Sequence, residues 1–259
     1  MYTMKTRIFF TIVYAVILLS NSKLIASNDS QARFELGNNY YNQQVLDSAL
    51  IQYQMVLSEG MHSAALYYNI GNTYFKLRDI PSAILYYEKA LKIKPNDDDV
   101  RHNLEIANAL IVDKIEQMPQ LFFRQWWNAF YTMFPADTWA WVSLLFFALT
   151  LLAVYVYIVS FKAIYRKVAF FGGLLLFIGT IGTFGLASQK YYYTQQTNEA
   201  ILFVPTITVK SAPNTGSVDL FVLHAGTKVS LLDEANGWRK IKIANGSVGW
   251  LPDNVIRGI

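Results

Sequence analysis

The 259-residue chain has no cysteine. That excludes disulfides, thiolate nucleophiles and Cys-ligated metals, and it suits an oxidising compartment without requiring one. Histidine is nearly as scarce: His62, His102 and His224 stand far apart in no ligand-like spacing, so no metal site is expected. Charge is sparse as well. The net charge of +4 is scattered without a basic run or stripe, which argues against nucleic acid as a partner. Outside the apolar runs there is no Ser-His-Asp set, paired carboxylate or metal-ligand arrangement, so no catalytic residue and no cofactor is assigned and an enzyme is disfavoured.

The most informative absence is local. Thr138 to Phe161 and Val168 to Ala187 carry no charged residue. A bilayer core takes about 20 apolar residues of helix. The first run holds thirteen Leu, Ile, Val or Phe, each favouring insertion by roughly 0.3 to 0.6 kcal/mol. The two runs, 138–161 and 168–187, are therefore expected to be transmembrane helices. The alternative, a hairpin buried in a soluble core, would have to hide two uncharged runs of unusual length. Lys162, Arg166 and Lys167 in the short connection place it on the cytoplasmic side, so both flanks face away from the cytoplasm. The 53% hydrophobic content owes much to these runs, and what remains suffices for two small domains.

Lys5 and Arg7, the apolar run Ile8 to Leu19 and the small-residue stretch Ser20 to Ser27 have the plan of a signal peptide over 1–27. Leu24 before Ala26 is a poor cleavage match, so an uncleaved N-terminal anchor stays open; either way the next domain is exported.

Over 28–116 the chain repeats itself. An offset of 34 residues aligns Leu36, Gly37, Tyr40, Ala49 and Tyr53 with Ile70, Gly71, Tyr74, Ala83 and Tyr87, the period of a tetratricopeptide array. The second copy, 64–97, resembles that family through Tyr67, Ile70, Gly71, Tyr74, Ala83, Tyr87, Ala90 and Pro95. The first, 30–63, is looser, with Arg33 and Met61 where the family has a large apolar residue and a proline. Val100, Leu104, Ala107, Ile111 and Ile115 predict a third helix over 98–115. The resemblance implies a concave groove for a protein partner, lined by Phe34, Asn38 and Tyr41, by Tyr68, Asn72 and Phe75, and by His102 and Ile106. The competing reading is that Tyr68 and Phe75 pack on the next helix.

Residues 121–134 hold Phe122, Phe123, Trp126, Trp127, Phe130, Tyr131 and Phe134, aromatics that favour the headgroup layer, and read as an interfacial helix ended by Pro135. A groove for a lipid or quinone is the sharper alternative. In the second span Gly172, Gly173, Gly179, Gly182 and Gly185 would let another helix approach closely, the first span among the candidates.

Residues 199–259 turn to short β-branched runs broken by Asn236-Gly237 and Asn245-Gly246, which are hairpin signals. Val209-Lys210-Ser211-Ala212-Pro213, Gly226-Thr227-Lys228-Val229, Gly237-Trp238 and Gly249-Trp250-Leu251 resemble the bacterial SH3 family. That implies a small all-β SH3-like barrel in which Trp238 and Trp250 support the core or contact a ligand. Family members attached to wall hydrolases bind peptidoglycan.

The expected fold class is thus a multidomain membrane protein: a helical repeat array, a two-helix membrane hairpin and a small β barrel. The order of modules resembles the repeat-bearing E component of the Bacteroides aerotolerance (Bat) system. That resemblance implies an inner-membrane protein with both soluble domains on the periplasmic side, linked to oxygen or oxidative-stress tolerance. Its implied partners are von Willebrand A-domain membrane proteins and a MoxR-type ATPase. Two readings compete: a non-catalytic assembly protein, and a peptidoglycan-binding anchor or envelope sensor.

Overall fold

The computed structural model describes residues 29–116, 122–196 and 198–259. The expected signal peptide lies outside them.

Five helices build the N-terminal array: α1 (29–42), α2 (Leu46–Ser58), α3 (Ala64–Lys76), α4 (Ile80–Ile93) and α5 (Asp98–Ala109). Their starts are written into the sequence as caps, side-chain oxygens that accept the otherwise unsatisfied first-turn N–H groups. Ser63 accepts from Leu66, Asp79 from Ser82 and Asp97 from Val100. The turns inside the two repeats also match: Gln44 and Arg78, 34 residues apart, both take left-handed backbone at φ 63° and 65°. The helices of each pair meet at glycine. A Cβ on Gly71 would stand 2.6 Å from Cδ1 of buried Tyr87, and one on Gly37 2.5 Å from Cε1 of buried Tyr53.

The third helix is shorter than its periodicity predicts. α5 ends at Ala109, where Lys114 Nζ donates to the carbonyls of Asn108 and Ala109. Ile111 and Ile115 are spaced as in a helix, but burial elsewhere wins. Ile111 packs on the repeat core and against Gly226, and Ile115 on the core of the β module.

α6 (Phe122–Thr132) carries the aromatic cluster, with Trp126 74% exposed. It joins its neighbours through Asn96 Nδ2, which donates to Thr132 O, and through Trp139 Nε1, which donates to Tyr131 O. Two long apolar helices follow, α7 (Ala136–Val159) and α8 (Ala163–Gln195). Both are long and apolar enough to cross a membrane, and only 11% of the most apolar stretch of each is buried in the protein. A soluble core helix would be buried; these face outward, as lipid-facing helices do. The connection is tighter than the sequence suggests, residues 160–162, with Arg166 and Lys167 already inside α8. At about 1.5 Å per residue, the 33 residues of α8 outrun a 30 Å hydrocarbon core. The helix is thus longer than one crossing of such a layer requires. Of the five glycines in the second run, Gly173 meets Ala153 and Gly179 meets the Phe146 ring, so both serve the contact with α7. A Cβ on Gly172, Gly182 or Gly185 would meet no side chain or other helix within 4 Å among the described residues.

The C-terminal module is one antiparallel sheet of β1 (Glu199–Leu202), β2 (Thr206–Lys210), β3 (Asp219–His224), β4 (Lys228–Ala235), β5 (Trp238–Lys242), β6 (Val248–Pro252) and β7 (Ile256–Gly258). The strand order is β3-β2-β6-β5-β4-β1-β7. Asn236-Gly237, both at positive φ, forms the two-residue β4–β5 turn. The Asn245-Gly246 turn between β5 and β6 needs positive φ only at Gly246. Leu202, Val209, Leu223, Val229, Ile241 and Leu251 fill the core.

Candidate functional site

The first-helix face of the repeats holds a chain of side-chain amides. Asn38 Oδ1 accepts from Tyr53 Oη and Asn69 Nδ2, each at 2.8 Å. One repeat later Asn72 Oδ1 accepts from Tyr87 Oη at 2.7 Å and Asn103 Nδ2 at 2.9 Å. The logic is one of satisfaction. Each buried tyrosine hydroxyl needs a partner, and the asparagine provides it while tying successive repeats together. Burial, with Tyr41 nearby, outweighs the Asn69 hydrogen bond and pushes the Tyr53 phenol up to about 12, so it remains a donor at neutral pH. The amide nitrogens of Asn38 and Asn72 donate no hydrogen bond among the described residues.

Aromatics flank this chain. Tyr68 accepts from Asn103 Nδ2 at 3.0 Å and lies 6.1 Å from the Tyr87 ring. Tyr41 carries Lys76 Nζ over its face at 4.0 Å, and Phe34 sits 5.9 Å from Tyr53. Phe75 is half-buried against the α4–α5 core. Tyr68 and Phe75 thus pack on neighbouring helices and keep one surface open. His102 and Ile106 are exposed on α5 and stand outside the amide chain. Sequence reasoning passed over Asn69 and Asn103, although they too recur at 34 residues and the same self-comparison reaches them.

Trp238 on β5 and Trp250 on β6 are both half-buried and neither belongs to the buried core. Trp238 pairs with Pro252 in the ladder and Trp250 with Lys240, whose Nζ is 5.9 Å from the Trp250 ring.

The two soluble modules, separated in sequence by the hairpin, share an interface. Ile201 and Ile259 of the β module belong to the repeat core. Asp113 Oδ2 accepts from the His224 backbone N–H at 2.7 Å and from Thr227 Oγ1 at 2.6 Å, while Oδ1 pairs with His224 Nδ1 at 2.8 Å. Burial pushes the Asp113 carboxyl up, but the hydrogen bonds from Thr227 and His224 together outweigh it and hold the group below its ordinary value. Lys228 Nζ bridges Glu88 at 2.8 Å and Glu199 at 2.9 Å. Its burial would lower the pKa; the two carboxylates prevail and raise it. Lys92 Nζ donates to the carbonyls of Gln196 and Ile259.

This architecture defines a class: a tetratricopeptide-like helical array and an SH3-like β module, docked together beside a hairpin of two apolar helices. Residues 64–97 match the tetratricopeptide repeat family and residues 205–255 the bacterial SH3 domain family. Among solved structures, the C-terminal SH3 domain of myosin IB from Entamoeba histolytica is similar over 25% of this chain and 97% of its own, at 23% identity and a TM-score of 0.19. No curated protein matches the chain.

Proposed function

We propose that this chain is a non-catalytic assembly protein of the bacterial envelope. It is anchored in the inner membrane by α7 and α8, with both interaction modules on the periplasmic side. It holds a protein partner against the first-helix face of the repeats. The observation that carries the reading is the pair of recurring amides, Asn38 and Asn72: their oxygens are engaged internally, while their nitrogens donate no bond among the described residues, one repeat apart beside Tyr41 and Tyr68. Donors at that spacing suit the carbonyls of an extended peptide, and half-buried aromatics provide contact area. The order of modules, which resembles the E component of the Bat system, makes a von Willebrand A-domain membrane protein the first partner to test. A MoxR-type ATPase system and a role in oxygen or oxidative-stress tolerance come with that resemblance.

The test is co-purification from crosslinked membranes with the von Willebrand A-domain protein of the same organism. Asn38→Asp with Asn72→Asp keeps the acceptors that Tyr53 and Tyr87 need and removes the donors. It should cut recovery by about tenfold or more, since interface hot spots are worth about 2 kcal/mol or more. Full recovery with this variant, and loss with Trp250→Ala, moves the binding site to the β module. The match of 205–255 to the bacterial SH3 domain favours one second reading, a wall anchor. Sedimentation of the chain with isolated peptidoglycan and no protein partner recovered would replace the assembly reading with it.

A further inference from the structure

A cavity of about 550 Å³ opens where the repeats, α6, the end of α8 and the β module converge. Lys190 in its wall is 1% exposed, and its Nζ has no hydrogen-bond partner among the described residues. An ammonium carries three donors, and an uncompensated buried charge is strongly unfavourable unless something of opposite sign meets it. The tyrosines beside it answer only part of that need. Nζ lies 5.3 Å from the Tyr131 ring centroid and 5.7 Å from that of Tyr193, and ring faces attract a cation without accepting its hydrogen bonds as an oxyanion does. The nearby carboxylates of Glu88 and Glu199 both bind Lys228, and neither makes an ion pair with Lys190. Of the three lysines in the lining, Lys228 binds the two glutamates and Lys92 the backbone oxygens of Gln196 and Ile259, which leaves Lys190 as the one whose ammonium meets no oxygen among the described residues.

From this geometry we infer that the cavity is a binding site for a phosphate group, held by the Lys190 ammonium and flanked by Tyr131 and Tyr193. Several acceptor oxygens on one anion match three unused donors, and Leu91, Pro95 and Tyr192 in the same wall suit an attached organic portion. Lys190 follows the uncharged run of α8 by three residues, at the level where that helix leaves the apolar layer and phospholipid headgroups lie. A headgroup phosphate and a soluble phosphate ester share this chemistry. The site does not depend on partner binding by the repeats, and it rests on the membrane reading only for the source of the phosphate.

The experiment uses the full chain in neutral detergent, with thermal midpoint and native mass spectrometry as readouts. The probes are short-chain phosphatidylglycerol, short-chain phosphatidylcholine, glycerol phosphate and inorganic phosphate. Phosphatidylglycerol or glycerol phosphate should raise the midpoint in a saturable way. Lys190→Met, which keeps the stem and removes the charge, should weaken that binding at least tenfold, and Lys190→Arg should retain it. A response to glycerol phosphate equal to that to phosphatidylglycerol supports the site and assigns it a soluble ester; a response to the lipid alone supports it and assigns the headgroup. Undiminished binding by Lys190→Met, or the absence of binding by every phosphate probe, overturns the proposal. Should Lys190→Met fail to fold, mass spectrometry of the unsubstituted chain decides: retention of none of phosphatidylglycerol, phosphatidylcholine and glycerol phosphate is equally fatal.

Discussion

Gly37 and Gly71 show how single residues set the repeat geometry. A methyl group at either would enter a tyrosine ring that is itself buried and cannot swing aside. Gly71→Ala should therefore destabilise the α3–α4 pair by about 1 to 3 kcal/mol, the usual penalty of overpacking, despite alanine's better helix propensity. Hydrogen exchange in the full chain reads this out as roughly 5- to 150-fold faster exchange across 64–93. Protection equal to the parent's would mean that the helices do not approach as described. At the same scale, the Gly226-Thr227-Lys228 run belongs to the segment that resembles the bacterial SH3 family, and all three residues serve an internal contact. Gly226 makes room for Ile111, Thr227 donates to Asp113 and Lys228 bridges to Glu88.

The hairpin of α7 and α8 decides which elements can meet. The two helices run antiparallel, so the chain leaves α8 near where it entered α7, and the β module then reaches the repeats. The absence of cysteine gives a clean background for a topology test. Phe161→Cys in the connection, 102% exposed, should react with a membrane-impermeant maleimide only after the membrane is breached. His102→Cys and Asn214→Cys, on the repeats and the β module, should react in intact spheroplasts. Opposite behaviour of His102→Cys and Asn214→Cys would break the hairpin reading. Reaction of Phe161→Cys alone in intact spheroplasts would reverse the orientation.

For the whole molecule, docking of the β module on the repeats is the main device, and Asp113 is one of its titratable parts. Its carboxyl has a lowered pKa in the folded protein. It therefore contributes stability above its unfolded value, and that contribution is lost as pH falls through the lowered folded value. Proteolytic protection of 110–116 should hold at neutral pH and decline only in acid, below the ordinary carboxylate range. Asp113→Asn should expose the segment already at neutral pH, with a loss of about 1 to 3 kcal/mol from donors left unsatisfied, and the acid step should shrink. An unchanged acid step in Asp113→Asn would place the sensitivity elsewhere.

The sequence by itself determined the parts. A 34-residue recurrence, two uncharged runs and Asn-Gly turns are signals carried by short stretches of chain, each readable without knowing what the stretch will touch. The recurring face of Asn38 and Asn72 was legible for the same reason. Tertiary structure alone decided what those residues do. Asn69 and Asn103 complete the amide chain across repeats, α5 stops short so that Ile111, Asp113 and Ile115 can meet the β module, and Lys190 is buried by elements that lie far apart in the chain. Periodicity cannot carry such information. Burial, hydrogen bonding and ion pairing between residues separated by more than a hundred positions, as in the Asp113–His224 hydrogen bond or the Glu88–Lys228 ion pair, arise only once the hairpin has folded the chain back on itself.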